Sequence, residues 1–195
     1  TDVFRIAQGL YSSYEVVVDE TSGDLQPLSL QLIAANGSTV LSNSHAIGNG
    51  AARSLRWTTS STTSIDETVR VRSGGCVTSC GADDTYRIRS YETTQNIPRF
   101  NNSGSQVTVL LLQNPTDVVI NSTVYFWDAA GTPVANQEAT VGPKQLLVIN
   151  TSTIAGAAGA SGTITVAHDG RYGELTGKRV ALGRGTGISF HSPAL

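Results

Sequence analysis

Apolar and polar side chains alternate along short runs throughout this chain. Alternation at period two places the apolar set on one face of an extended strand and leaves the other face wet. Such runs occupy residues 3–7, 14–18, 28–33, 54–58, 68–72 and 86–91. They continue at 106–113, 121–127, 132–135, 144–150, 162–168, 178–183 and 187–191. Turn signals separate them, among them Asn114-Pro115, Gly142-Pro143 and Asp169-Gly170. Helical spacing is nearly absent. The Ala/Gly stretch 154–162 has no apolar stripe and reads as a loop.

Strand after strand at short spacing predicts an all-β chain of two tandem antiparallel β-sandwiches, jelly-roll or immunoglobulin-like in style. With 195 residues the expected domains are 1–94 and 95–195. The boundary is placed near 93–98, because Pro98 is disfavoured inside a central strand. Two internal echoes support the plan. Leu32 through the Gly37 turn to Val40 resembles Phe126 through the Gly131 turn to Val134. Asp2-x-Phe4-x-Ile6 returns as Asp84-x-Tyr86-x-Ile88, which predicts that the first and last strands of the first domain are neighbours. Arg70, Arg72, Arg87 and Arg89 alternate with apolar residues, predicting one arginine-striped sheet face.

Composition narrows the classes. Charged residues make up 14% of the chain, against about 25% in ordinary domains. The net charge of −2 gives no basic field for nucleic acid. The longest apolar runs, 109–112 and 146–149, are far too short for a spanning helix, so no membrane insertion is expected. The chain begins at Thr1 and contains no Met, so it is read as a processed mature protein or a fragment of something longer.

Cys76 and Cys80 are separated by three residues in a polar loop. This is not redox spacing, and no nearby His completes a zinc site. A local disulfide is expected, and with it an oxidising, extracellular or cell-surface location.

Residues 1 to about 92 resemble the bacterial pre-peptidase C-terminal domain. The resemblance rests on Asp2-x-Phe4-x-Ile6, on Leu28-x-Leu30-x-Leu32 before Gly37, on Thr68-Val-Arg-Val71, and on Asp84-x-Tyr86-x-Ile88. It implies a small secreted β-sandwich that is a non-catalytic appendage, with calcium or matrix binding in some members. No acidic cluster carries over; Asp2, Asp83 and Asp84 read as strand-end carboxylates next to arginines. The Cys loop departs from the family pattern. The second half resembles, in general style, small sandwich domains of uncharacterised secreted bacterial proteins.

The search for chemistry finds no H-E-x-x-H, G-x-S-x-G or phosphate-loop sequence. His168 and Asp169 are adjacent and so point to opposite faces of a strand, which does not build a triad. No catalytic residue, metal or cofactor is assigned. Four N-x-S/T sequons mark Asn36, Asn101, Asn121 and Asn150 as glycosylation candidates. Tyr125 and Trp127 share a strand face and are candidates for exposed aromatic contacts. Two function classes follow. One is a secreted structural subunit that assembles with itself, a filament or fibre, by strand addition or domain packing. Its candidate contacts are Val3, Phe4 and Ile6 near one terminus, and Ile188 and Phe190 near the other. The alternative is an accessory module of a secreted hydrolase, holding an extracellular polysaccharide or protein.

Overall fold

The computed structural model describes residues 1–187 and 189–194. It is all-β, with sixteen strands and a single-turn 3-10 helix (Thr151–Thr153) among the described residues. The strands form four antiparallel sheets of four strands each. The chain divides into two compact units, Thr1–Glu92 and Thr93–Leu195. That division falls two residues before the expected 94/95 boundary.

In the N-terminal unit one sheet has the order β1 (Asp2–Gln8), β7 (Ile65–Ser73), β3 (Leu28–Ile33), β4 (Val40–Asn43). The other has β5 (His45–Ala46), β6 (Arg53–Thr58), β2 (Ser13–Asp19), β8 (Arg87–Glu92). Alternation does the packing: Leu28, Leu30 and Leu32 of β3 meet Val16, Val18 and Leu55 from the facing sheet in one buried cluster. Tyr14 stacks on Trp57 at 5.6 Å between ring centroids. The Trp57 indole N–H is satisfied by Gln8 Oε1 at 2.8 Å, so the buried polar edge carries no penalty.

Two expectations need correction here. The four arginines do not share a face. Arg70 and Arg72 stand on β7 in one sheet, Arg87 and Arg89 on β8 in the other. The segment between them carries the chain across the sandwich, so the alternation continues while the sheet changes. For the same reason β1 and the 84–88 repeat are not paired neighbours: β1 pairs with β7, and β8 pairs with β2. Their link is a side-chain one. The Tyr86 hydroxyl donates to the Asp2 carboxylate. Burial, reinforced by that carboxylate, pushes the Tyr86 phenol well above its usual range.

In the C-terminal unit one sheet runs β13 (Leu146–Asn150), β10 (Gln106–Gln113), β15 (Thr176–Gly183), β16 (Ser189–Pro193). The other runs β12 (Pro133–Val141), β11 (Ile120–Trp127), β14 (Ser161–His168), β9 (Gln95–Asn101). Between them lie Phe100, Leu110, Leu112, Phe126 and Ile164, with Phe100 edge-on to Phe126 at 5.3 Å. Pro98 lies within β9 rather than in a linker. β9 is an edge strand, and its register against β14 shifts between Ile97 and Phe100, so no ladder bond is required of Pro98. The partner of that shift is Gly162, where an added Cβ would collide with the Trp127 carbonyl. Buried Asn102 pegs the 151–160 loop: its amide donates to the Ala157 carbonyl at 2.9 Å, and its oxygen accepts from the Thr151 hydroxyl at 3.0 Å.

Removing the Phe126 ring empties the centre of the second core. Phe126→Ala should destabilise the C-terminal unit by about 3–5 kcal/mol. Amide exchange should quicken in β10, β11 and β14 and stay unchanged in β2 and β6. Equal loss of protection in both units would contradict two separate cores.

Candidate functional site

The Cys76–Cys80 disulfide is present, with the two Cα atoms 5.3 Å apart. It closes a loop in the crossover from β7 to β8. Carboxylates fasten that loop to the sandwich. Asp24 Oδ2 accepts from the Thr78 hydroxyl at 2.6 Å and from the Thr78 N–H at 2.8 Å. Asp84 accepts from the backbone N–H groups of Asp24 and Gly81. Asp84 therefore anchors the loop rather than sitting beside an arginine. Cys76, Cys80 and Asp84 offer three ligand-type atoms within 4.8 Å of one another. The two sulfurs are bonded to each other and are not thiolates, so this donor set does not suit a metal ion. The Thr78 hydroxyl, followed by its N–H, holds the Asp24 carboxyl below its ordinary value.

The histidines are dispersed. His45 is exposed on the two-residue β5, His168 is buried at the end of β14, and His191 is exposed on β16. The Asp169 carboxylate accepts from the backbone N–H and the side-chain amide of Asn121, at 2.8 and 2.9 Å. Ser122, directly across from His168, donates its hydroxyl to the Ala139 carbonyl at 2.9 Å.

Each candidate residue now has a place. Phe4 and Ile6 on β1 pack against their own unit's core, and Val3 points away from it at 60% exposure. Phe190 on β16 is 59% exposed. Ile188 lies outside the described residues. Tyr125 is buried at 7% exposure and does not offer an exposed contact. Trp127 is half-buried, and its indole N–H donates to Thr165 Oγ1 at 2.9 Å. Both leave β11 on the side opposite Val124 and Phe126, as alternation requires, but that side is largely covered at Tyr125. The sequon asparagines sit at turns and strand ends. Asn36, Asn121 and Asn150 are exposed and Asn101 is half-buried. The amides of Asn36, Asn101 and Asn121 donate to Thr39, Gln106 and Asp169 respectively. Asn150 uses its oxygen to cap the 3-10 turn at Ser152.

One surface was not anticipated. On the sheet β13-β10-β15-β16 the core takes Leu110, Leu112, Leu147 and Ile149. The opposite face is apolar too. Val148, Leu111 and Lys178 stand in one cross-strand row, with Val109 and Val180 in the next and Val107 and Leu182 beyond. Leu146, Val148 and Leu182 are 57%, 58% and 41% exposed. The charge-bearing side chains on this face are Lys178 and, on β16, His191; it carries no carboxylate. Its lower end dips into a cavity of about 360 Å³ between Leu111, Leu146, Lys178 and Pro193. The signal was in the sequence: Val107 to Leu112 and Leu146 to Ile149 are apolar with almost no alternation. A strand of that kind has two apolar faces and asks for cover on both.

No family model matches the chain. No curated protein matches it either. Among solved structures, it aligns with a calcium-binding mutant of Bacteroides uniformis beta-glucuronidase 2 at 8% identity and a TM-score of 0.22. That alignment takes in 98% of this chain and 26% of the enzyme, so the chain spans about a quarter of that protein's length. A likeness of this size carries no argument about fold or activity.

Two outcomes follow for the Cys loop. Asp24 has a depressed folded-state pKa, so its anchoring is present above the ordinary carboxylate value and is lost as the pH falls through the depressed one. The Thr78 amide resonance should titrate with a midpoint below that of a free aspartate, and Asp24→Asn should abolish the titration. Reduction of the disulfide should cost about 2 kcal/mol or less, because the closed loop is short. Urea midpoints with and without reductant measure it, and a loss twice that size would mean the bridge holds more than its loop.

Proposed function

We propose that this chain is a non-catalytic subunit of an extracellular or cell-surface assembly, and that the outer face of β13-β10-β15-β16 is where a second copy packs. The observation that carries this reading is the uncovered apolar face itself. Exposed patches beyond a few hundred Å² mark contact sites in soluble proteins. Strands about 4.8 Å apart, rising about 3.3 Å per residue, give this four-stranded face roughly 500 Å². Two copies then bury about 1,000 Å², the size at which a specific interface becomes tenable. A second copy suits the face chemically. Its Leu and Val rows are self-complementary, it holds no carboxylate, and its Lys178 lies toward one end, so a two-fold pairing need not bring like charges together.

A two-fold contact closes at two copies. Growth into a fibre needs another contact, and the outer edges of β1 and β16 each offer a row of backbone groups for strand addition. Val3 and Phe190 are the side chains such an edge contact meets. Because Phe4 and Ile6 belong to their own core, deleting residues 1–8 would unfold the first unit as well as remove the edge, and point variants are the cleaner probe. The disulfide supports an oxidising location for the subunit. The N-terminal unit fits the role of a sandwich appendage of the pre-peptidase C-terminal type.

Sedimentation velocity over a concentration series tests the packing. The wild type should associate as concentration rises, and Val148→Lys should remain monomeric with an unchanged circular dichroism spectrum. A wild type that stays a monodisperse monomer at every concentration overturns the reading.

A further inference from the structure

The C-terminal sandwich is open on one side. β9, the edge of one sheet, lies across from β15 of the other, and β16 is the edge strand beyond it. A cavity of about 490 Å³ occupies the opening, lined by Arg99, Gln106, Arg179, Ala181, Phe190 and His191. Residues directly opposite in an antiparallel pair share a face. Arg179 is opposite the fully buried Leu110, and Ala181 is opposite the fully buried Thr108. Both therefore leave β15 on the core side. Phe190, opposite Ala181, does the same from an edge strand, where no further strand covers it.

An arginine on the core side of a sandwich strand demands a reason. Its Nε is shielded from solvent and meets no acceptor among the described residues. Neither Arg179 nor Arg99 has a carboxylate within salt-bridge reach among those residues, whereas Arg87 and Arg89 are both paired. The Arg179 guanidinium's charge is also unneutralised among the described residues, and Arg179 lines the cavity, so an anion bound there would meet that charge. The two terminal Nη groups of a guanidinium form a planar fork that fits a carboxylate in two parallel hydrogen bonds. The other groups add selectivity. The Gln106 oxygen already accepts from Asn101, which leaves its amide hydrogens for a ligand oxygen. The Phe190 ring presents an apolar face to the same space.

We propose that this inter-sheet opening is a binding site for an acidic sugar, a uronate unit of a polysaccharide. Arg179 and Arg99 take its carboxylate, Gln106 donates to a hydroxyl, and the ring of Phe190 lies against the C–H face of the sugar. The site is distinct from the Leu and Val docking rows, because Arg179, Gln106 and Phe190 leave their strands on the core side; Phe190 is shared with the β16 edge contact.

The test is isothermal titration of the intact chain with trigalacturonate, with a neutral galactose trisaccharide and inorganic sulfate at matched ionic strength as controls. Trigalacturonate should bind saturably and the neutral sugar should not. Arg179→Gln should weaken binding by about tenfold or more, as expected for loss of a charge-assisted bidentate pair. Arg99→Gln, on an exposed edge position where folding is not at stake, should weaken it several-fold. Val148→Lys should leave it unchanged. The proposal is overturned if trigalacturonate shows no saturable binding, if sulfate binds as tightly, or if a folded Arg99→Gln and Arg179→Gln both bind like the wild type.

Discussion

Two layers of interdigitated side chains, one in each unit, hold everything else in place. With no α-helix among the described residues, each sheet relies on its facing sheet to bury its apolar side. Leu30, Leu55 and Val69 in the first unit, and Phe100, Leu110 and Phe126 in the second, are almost wholly withdrawn from water. That arrangement leaves the outer faces free to differ. The sheet containing β7 finishes its outer side with Arg5, Gln31, Arg70 and Arg72, and the Arg70 guanidinium is held by Gln31 at 2.8 and 3.1 Å. The sheet containing β10 finishes its outer side with central rows of Val and Leu, with Lys178 and His191 and, toward the rims, Gln113, Asn150 and Thr176. The same inner chemistry thus supports two different outer surfaces, and the contrast between them underlies the proposed packing role.

Much of the fold was legible because period two is a strong code. Strands with one buried face, such as β3 and β7, follow it, whereas β2 is buried on both faces from Ser13 to Val18 and keeps it only in part. The strands that escaped are those whose neighbours weaken it. β9 contains Pro98, which reads as a linker until the edge position and the register shift beside Gly162 make the proline harmless. β12 runs on to Val141, well past the expected 135, through the polar stretch Asn136 to Thr140. An edge strand wet on much of its surface shows no alternation. β5 is two residues long and has none to show. Pairing was harder still. Matching patterns in β1 and the 84–88 segment reflect similar environments on opposing sheets, because the crossover between β7 and β8 is invisible to periodicity.

The site was less legible than the fold. The Cys pair could be read from spacing, because a disulfide is a local feature. Tyr125 could not, since a strand pattern gives its face but not what covers that face. The apolar outer surface was announced by unbroken runs in β10 and β13, yet such runs describe any strand buried on both sides. Only the sheet order reveals that nothing in this sheet's own sandwich covers the second side. Arg179 is the opposite case: a charge on the core side of a strand breaks the local code, and its sense depends on the opening that β9 and β16 leave beside it.

The crossover loop has a further consequence. Val77, between the two cysteines, is 70% exposed, and the loop is the kind of protruding segment that proteases find first. A cut between Cys76 and Cys80 would leave the two fragments covalently joined through sulfur, with Asp24 and Asp84 still gripping either side. β7, inside one sheet, and β8, at the edge of the facing sheet, would stay tethered. The bridge therefore keeps a molecule nicked in this loop in one covalent piece.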